Sequence, residues 1–228
     1  MTQLFNKILI ANRGEVAVRI ILACQKLHIA TVAVYSDADK NSPYVNMADE
    51  AIHIGDSRAA ESYLNQDKIL QAAKLTGCEA IHPGFGFLSE NPGFAKNCIA
   101  SGVDFIGPSA DTMLLMSSKS ASKELVASLD LPIIPGLANP PQDSDALSQA
   151  AADIGYPVLI KASAGGGGMG MRVVNAADEF EHALTATKQE AKNSFGNDHV
   201  LVEKYFKKVR HIEVQLLCDQ HGNALHCY

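Results

Sequence analysis

The fold of this chain is decided by residues 157–172, PVLIKASAGGGGMGMR. Two apolar segments, 157–160 and 171–174, have the character of buried strands and enclose a run of glycines with Lys161 at its entrance. Because glycine has no Cβ, its backbone N–H groups can approach a ligand closely. A neighbouring lysine supplies positive charge for a polyphosphate. The segment therefore predicts a flexible flap that closes over the phosphates of a nucleotide.

Other glycine motifs account less well for this segment. A flexible linker usually has polar flanks, whereas these flanks are apolar. Gly165, Gly167 and Gly170 match G-x-G-x-x-G, but a dinucleotide fingerprint is followed by a helix and a strand is predicted here. A P-loop requires Lys and then Ser or Thr after its last glycine, where this chain has Met171 and Arg172. The sequence contains neither H-R-D nor D-F-G, which argues against a protein kinase.

Composition limits the classes of function. The chain has 228 residues, of which 47% are hydrophobic, and its 25 acidic and 19 basic residues give a net charge of −6. This balance argues against nucleic acid as a partner, and no apolar run approaches the roughly 20 residues of a membrane helix. Five scattered cysteines without a C-x-x-C pair predict thiols, most of them buried, in a cytoplasmic protein, rather than disulfides or a zinc site.

The first half of the chain alternates between predicted strands and helices. Such alternation predicts an α/β fold with a parallel sheet, because each helix crosses over between parallel strands. The loop after the first strand contains a single glycine, Gly14, so the sheet is Rossmann-like without the dinucleotide signature. The predicted strands are 7–12, 31–35, 51–54, 80–82 and 104–106, and the predicted helices are 15–27, 65–75 and 92–100.

The second half follows a predicted boundary near residues 108–119. It contains a second βαβ-like region around the glycine loop, with Asn175 as the expected N-cap of a long helix. The last predicted strand reaches the end of the sequence, which leads us to expect a fragment of a longer protein. The predicted helices are 121–129, 145–154 and 176–192, and the predicted strands beyond the glycine loop are 200–204, 211–217 and 224–228.

Six segments, taken in order, resemble the biotin carboxylase component of biotin-dependent carboxylases, and most of all the α subunits of bacterial acyl-CoA carboxylases. The resemblance runs from Lys7 to Tyr228, and the combination of segments is specific although each is short. Besides the lysine–glycine loop, the segments are 10–15 (IANRGE), 82–91 (HPGFGFLSEN), 105–108 (FIGP), 202–205 (VEKY) and 210–215 (RHIEVQ).

The resemblance implies two domains. Residues 1–115 would form the Rossmann-like domain that precedes an ATP-grasp fold. Residues 116–228 would form an incomplete ATP-grasp domain of the α+β class, with its flap lobe at about 135–205.

The resemblance also implies roles at the triphosphate. Lys119 and Lys161 resemble the lysines that contact the nucleotide phosphates, and Gly167 and Gly168 resemble the tip of the phosphate flap. From the sequence alone, Lys119 could equally be a solvated lysine at the start of a helix. Met169 stands where relatives usually have Lys or Arg, so the flap has one cation fewer.

Further implied contacts concern the base, the ribose and biotin. Residues 203–206, Glu203, Lys204, Tyr205 and Phe206, resemble the strand whose backbone binds adenine, with Glu203 near the amino group. His211 resembles a contact on the ribose side, and Phe85 would lie toward the biotin pocket. On the residues alone, Glu203 could be a surface strand residue, His211 a structural histidine and Phe85 part of the core.

The activity implied is that of the biotin carboxylase family. ATP and bicarbonate form carboxyphosphate, which delivers CO₂ to biotin on a carrier domain, with Mg²⁺ or Mn²⁺ as the metal. The implied partners are the biotin carboxyl carrier domain, a carboxyltransferase subunit and, at full length, a second copy of the protein. The family's bicarbonate, metal and carboxylation residues match nothing up to Tyr228. No catalytic or metal-binding residue is therefore assigned, and the fragment alone is expected to be inactive.

Two other functions remain open on the sequence. One is an ATP-grasp ligase of the carbamoyl-phosphate synthetase type, against which the 82–91 segment argues. The other is a nucleotide-binding module without catalytic activity.

Overall fold

The computed structural model describes residues 5–117, 119–137, 139–163, 170–219 and 221–227. The chain forms two compact units, residues 1–117 and residues 118–228.

The first unit is built on a five-stranded sheet in which every pair of neighbouring strands is parallel. Its strand order is β3-β2-β1-β4-β5, so the order reverses between β1 and β4. This arrangement confirms the predicted Rossmann-like sheet, whose reversal point is where such folds place ligands. The strands are β1 (Lys7–Ile10), β2 (Ala30–Ser36), β3 (Glu50–Gly55), β4 (Ala80–His82) and β5 (Asp104–Phe105).

Apolar cores cover both faces of this sheet. Leu9 packs into one core, whereas its neighbours Ile8 and Ile10 pack into the other. A strand that is buried on both faces needs a continuous apolar run, which is why this segment lacks a polar residue at every second position. The helices of the unit are α1 (Gly14–Lys26), α2 (Pro43–Met47), α3 (Gln66–Thr76), α4 (Pro92–Ala100) and α5 (Ala110–Ser117).

Two of these helices were not predicted from the sequence. Helix α2 has only five residues, too few to show helical periodicity, and it is held by Tyr44, whose hydroxyl donates to the carbonyl of Val34. Helix α5 lies inside the segment that was predicted to be a boundary. The Ser109 hydroxyl accepts a hydrogen bond from the Thr112 N–H at the start of α5, and Met113 is buried in a small core.

The second unit contains a four-stranded antiparallel sheet of order β6-β9-β7-β8. Strands β8 and β9 flank β7 and run parallel to each other, so α8 joins them as a split βαβ unit. The strands are β6 (Gly136–Leu137), β7 (Val158–Ala162), β8 (Met171–Val174) and β9 (Val200–Lys204). The helices are α6 (Lys119–Ser128), α7 (Ser144–Ile154) and α8 (Phe180–Phe195).

The predicted N-cap at Asn175 is wrong. A 3₁₀ turn at Ala177–Glu179 precedes α8, and the side chain of Asn175 caps neither segment. The Glu179 carboxylate instead accepts a hydrogen bond of 3.0 Å from the Asn175 N–H. An acidic side chain four residues later therefore satisfies the backbone at this position.

The last described strands form a hairpin of β10 (Leu216–Cys218) and β11 (Ala224–His226). The first strand begins later than predicted, since residues 211–215 have no regular structure. The second ends at His226, before the predicted end. The Asp219 carboxylate accepts hydrogen bonds from the N–H groups of His221 and Asn223 and so closes the turn. Within the described ranges, no helix is long and apolar enough to cross a membrane.

The loop after β4 yields a prediction about stability. Gly84 has φ +65°, and a Cβ there would lie 2.6 Å from Cγ1 of Val16 and 2.8 Å from Nδ2 of Asn12. Gly86 has φ +70° with nothing within 4 Å, which makes Gly86→Ala a matched control for backbone strain alone. We expect Gly84→Ala to lower the free energy of unfolding by about 1–3 kcal/mol more than Gly86→Ala, because it adds overpacking to that strain. Urea denaturation measures both, and equal losses would contradict the prediction.

Candidate functional site

Three buried or nearly buried charged side chains meet in the second unit. Glu203 is 5% exposed, and its Oε1 lies 3.0 Å from Nζ of Lys123 while its Oε2 lies 2.5 Å from Nζ of Lys161. The lysine side chains are 9% and 19% exposed, respectively. Both carboxylate oxygens are therefore bonded to cations, and the group, called the Lys123–Glu203–Lys161 cluster below, has one positive charge in excess.

Strand register brings Glu203 and Lys161 together. Glu203 pairs with Leu159 of β7, and Lys161 follows two residues later on the same strand. Residues at this diagonal spacing point to the same face, within reach of long side chains. On the other side of β9, Glu203 pairs with Gly136, where a Cβ would lie 3.0 Å from Cγ of Glu203. Glycine at position 136 thus leaves room for the glutamate.

The two lysines keep Glu203 ionised. Burial raises the pKa of its carboxyl, but the hydrogen bonds and charges of Lys161 and Lys123 outweigh burial and hold the pKa below its usual value. A carboxylate in this state accepts hydrogen bonds and donates none.

The base of the glycine loop is closed by hydrogen bonds. The Ala162 N–H donates to the Gly170 carbonyl at 2.8 Å, and the Ser163 N–H donates to the His199 carbonyl at 2.9 Å. Gly170 has φ +66°, a conformation that favours glycine. Lys161 thus lies directly before a loop whose two ends are fixed.

An ion pair between Glu190 of α8 and Arg172 of β8 lies at the C-terminal end of this loop. The Glu190 carboxylate accepts the Gly170 N–H at 3.0 Å through Oε1 and the Arg172 guanidinium at 2.7 Å through Oε2. The Gly170 N–H and Arg172 lower the pKa of Glu190, so its carboxylate is ionised near neutral pH.

The structure does not describe the phosphate contacts predicted for Gly167, Gly168 and Lys119. Gly167 and Gly168, and Met169 with them, fall outside the described residues. Lys119 is the first residue of α6, one turn before Lys123, but its side chain is likewise not among those described.

The segment after Glu203 is held by backbone bonds. The Lys204 N–H donates to the Pro135 carbonyl at 2.8 Å, and the Tyr205 N–H donates to the Pro157 carbonyl at 3.1 Å. The Lys204 ammonium donates to the carbonyls of Gly155 and Tyr156 at 2.8 and 3.1 Å. The lysine side chain therefore supports the loop before β7.

Phe206 and His211 lie on the surface of the second unit. Phe206 is half exposed, and His211 is 83% exposed with its Nε2 3.3 Å from Oε1 of Glu213. His211 thus contacts a side chain two residues away, Glu213, and is not a member of the Lys123–Glu203–Lys161 cluster.

Phe85 lies on the loop after β4 of the first unit. The residue is 69% exposed, and its carbonyl accepts a hydrogen bond of 2.8 Å from Nδ2 of Asn12. The same amide donates to the Pro83 carbonyl at 2.7 Å, which fixes the loop at the point where the strand order of the sheet reverses. The exposed ring is therefore carried by a rigid backbone.

Sequence reasoning missed Lys123 and Glu190. Lys123 lies four residues after Lys119, the spacing at which two side chains share one helix face, and this signal was available. Glu190 lies 20 residues from Gly170 along the chain, and no local pattern links the two.

The described residues include carboxylates, which are potential magnesium ligands. Among the described residues, no group of three His, Cys, Asp or Glu side chains is arranged to hold a metal ion.

Comparisons with known proteins cover nearly the whole chain. Residues 4–113 match the family of the biotin carboxylase N-terminal domain, and residues 118–228 match that of the carbamoyl-phosphate synthase L chain ATP binding domain. Biotin carboxylase 1 of Bacillus subtilis is 49% identical over 98% of this chain and 50% of its own length. The methylcrotonoyl-CoA carboxylase subunit alpha of Dictyostelium discoideum is 51% identical over 97% of this chain and 32% of its own length.

Solved structures give the same picture. The biotin carboxylase of Campylobacter jejuni, in a β,γ-ATP complex, has a TM-score of 0.92 and 44% identity over 97% of this chain and 50% of that chain. The biotin carboxylase domain dimer of Hydrogenobacter thermophilus 2-oxoglutarate carboxylase, with MgADP, ADP and bicarbonate, has a TM-score of 0.89 and 44% identity. The match covers 98% of this chain and 49% of the Hydrogenobacter chain. The chain thus spans a third to a half of the length of these relatives.

Removing the charge of Glu203 should cost stability. We expect Glu203→Gln to lower the free energy of unfolding at pH 7 by about 2–3 kcal/mol, less than for a fully buried pair because Lys161 is partly exposed. Because the folded pKa of Glu203 lies below its ordinary value of 4.5, its stabilisation is complete above that pH and is lost as pH falls below it. The gap between the two proteins should therefore stay constant from pH 7 down to about pH 4.5 and narrow below it.

Urea denaturation at about pH 7 and about pH 3, on either side of the ordinary pKa, measures this gap. Glu124→Gln, which removes the charge of the exposed neighbour of Lys123, is the control and should show no comparable loss. A gap that stays constant with pH would contradict the assignment of an ionised, paired Glu203.

The hydrogen bond between the Gly170 N–H and the Glu190 carboxylate gives a separate prediction. Glu190→Ala should lower the hydrogen-exchange protection of the Gly170 N–H several-fold, because that amide loses its acceptor. Glu181→Ala removes a carboxylate on the same helix that bonds the Ser144 hydroxyl instead, and should leave Gly170 unchanged. Amide exchange followed by NMR decides the matter, and equal protection in all three proteins would show that Glu190 does not hold the loop.

Proposed function

This chain belongs to the biotin carboxylase family, and we propose that it is the ATP-binding portion of an enzyme that carboxylates carrier-bound biotin with ATP and bicarbonate. The observation that carries the proposal is the position of Lys161. It lies in a cluster with one excess positive charge, immediately before a glycine-rich loop with a closed base. A polyphosphate needs both features, positive charge and approachable backbone N–H groups.

The proposed nucleotide site uses the residues singled out from the sequence. Lys119 and Lys161 would bind the phosphates, and Gly167 and Gly168 would close over them. His211 would contact the ribose. In the first unit, Phe85 would face biotin, and its exposed ring on a fixed loop suits a contact with a ligand.

Adenine would bind along residues 203–206. The N–H groups of Lys204 and Tyr205 are already bonded to carbonyls within the unit, so the base would use the remaining backbone groups of this segment, including those of Phe206. The ionised Glu203 can accept a hydrogen bond from the adenine amino group.

The assembly around this portion is also a proposal. We propose that ATP binds as its magnesium complex, with metal ligands drawn from outside the described residues. The partners would be a biotin carboxyl carrier domain, a carboxyltransferase subunit and a second copy of the full-length protein. We place the boundary between the two domains near residue 115, the flap lobe at about 135–205, and the activity in the cytoplasm.

One alternative shares the second half of the chain. Residues 118–228 match a domain named after carbamoyl-phosphate synthase, so this half does not separate the two ligases. Residues 4–113 match the biotin carboxylase N-terminal domain, and this match favours biotin as the acceptor.

A chimaera tests the two activities directly. This chain would replace the matching half of Bacillus subtilis biotin carboxylase 1, to which it is 49% identical. Phosphate release from ATP that requires bicarbonate and free biotin would support the proposed function. Release that requires ammonia in place of biotin would favour the carbamoyl-phosphate synthase type, and a folded chimaera without either activity would overturn the proposal.

Binding of ATP to the chain itself gives a further prediction. Lys161→Met should weaken ATP binding by about 1.5–3 kcal/mol, the range for a lost hydrogen bond to a charged group. Lys192→Met removes an exposed lysine of α8 in the same unit and should leave the affinity unchanged. Calorimetric titrations of the three proteins provide the comparison. Equal affinities would show that Lys161 does not reach the nucleotide.

A further inference from the structure

The ammonium of Lys161 is already occupied in this structure. Its Nζ lies 2.5 Å from Oε2 of Glu203, so a phosphate has to compete with a nearly buried carboxylate for the same cation. If the Lys161 ammonium moved to a phosphate, Glu203, which is only 5% exposed, would lose one of its two counter-ions. An unpaired carboxylate at this depth is strongly unfavourable.

Lys123 removes this obstacle. Its Nζ lies 3.0 Å from Oε1 of Glu203, the oxygen that Lys161 does not use. Glu203 therefore keeps one close counter-ion whether Lys161 is bound to it or not. Because the two ammonium groups repel each other, the net interaction that holds Lys161 at the carboxylate is weaker than in an isolated pair.

The position of Lys123 is not explained by helix packing. No described residue of α6 is fully buried, so these residues add no fully buried side chain to the core that would draw Lys123 inward. The side chain of Lys123 is nevertheless only 9% exposed. The enclosure of this lysine is therefore due to its pairing with Glu203.

We propose that Lys123 is a positioning residue. It balances the charge of Glu203, so that the Lys161 ammonium can leave this carboxylate and bind the triphosphate. This role rests on the proposed function, since it requires that Lys161 binds ATP. Lys123 itself acts through Glu203 and does not touch the nucleotide. Without it, Glu203 would hold Lys161 alone and compete with the phosphates at full strength.

A double-variant cycle separates this role from direct contact with ATP. We expect Lys123→Met to weaken ATP binding by about tenfold in the unsubstituted chain, because Lys161 is then retained by Glu203. In the Glu203→Gln background, where no carboxylate retains Lys161, the same substitution should change the affinity by less than about twofold. A lysine that contacts the phosphates itself would lose the same factor in both backgrounds.

Calorimetry on the four proteins, with folding checked by circular dichroism, gives the cycle. Equal factors in the two backgrounds would overturn the role of Lys123 and leave the proposed function intact. Failure of the unsubstituted chain to bind ATP would overturn the proposed function and this role together.

A second measurement needs neither ATP nor a folded Glu203→Gln variant. The rate at which acetic anhydride acetylates Lys161, measured by peptide mass spectrometry, reports how firmly its ammonium is held. We expect Lys123→Met to slow this acetylation several-fold, and acetylation of the exposed Lys192 to stay constant. A purely structural lysine would leave the Lys161 rate unchanged or raise it by loosening the fold, and either result would overturn the proposal.

Discussion

The pairing of Glu203 with two lysines is the constraint on which the second unit depends. A carboxylate at 5% exposure stays ionised only with counter-ions close by, and α6 and β7 supply one each. The same pairing decides where Lys161 can be, because Oε2 of Glu203 fixes the ammonium directly before the glycine loop. Stability and the placement of the cation are therefore set by one side chain, and a change at Glu203 affects both.

The glycine loop combines a fixed base with a sequence that has almost no side chains. Its ends are set by the Ala162–Gly170 hydrogen bond, by the bond from Ser163 to the His199 carbonyl, and by the carboxylate of Glu190. Binding residues are most effective when a rigid scaffold carries a short adaptable loop. The antiparallel pair of β7 and β8 is such a scaffold, since the loop follows Lys161 at the position where the two strands part.

The sequence predicted the features that depend on local pattern. The apolar run at Ile8–Ile10 indicated a strand, and the strands on either side of the glycines were recognised for the same reason. It did not predict α2 (Pro43–Met47), which is shorter than the period that reveals a helix. Nor could it join Lys123 to Glu203, 80 residues later, because a residue of helix α6 and one of strand β9 meet only in the folded unit. Residues at the site are thus recognisable by type, whereas their partners are set by the fold.

Energetics favours a binding role for the charged cluster over a purely structural one. Buried ion pairs and triads are often no more stabilising than apolar side chains of similar volume, because removing the charges from water offsets their attraction. Here the Lys123 side chain is only 9% exposed, so an apolar side chain at this position would also be removed from water. A cation there instead leaves the cluster with one positive charge in excess beside the glycine loop. Stability alone gives little reason for that excess, whereas a polyanionic ligand at the loop would be attracted by it.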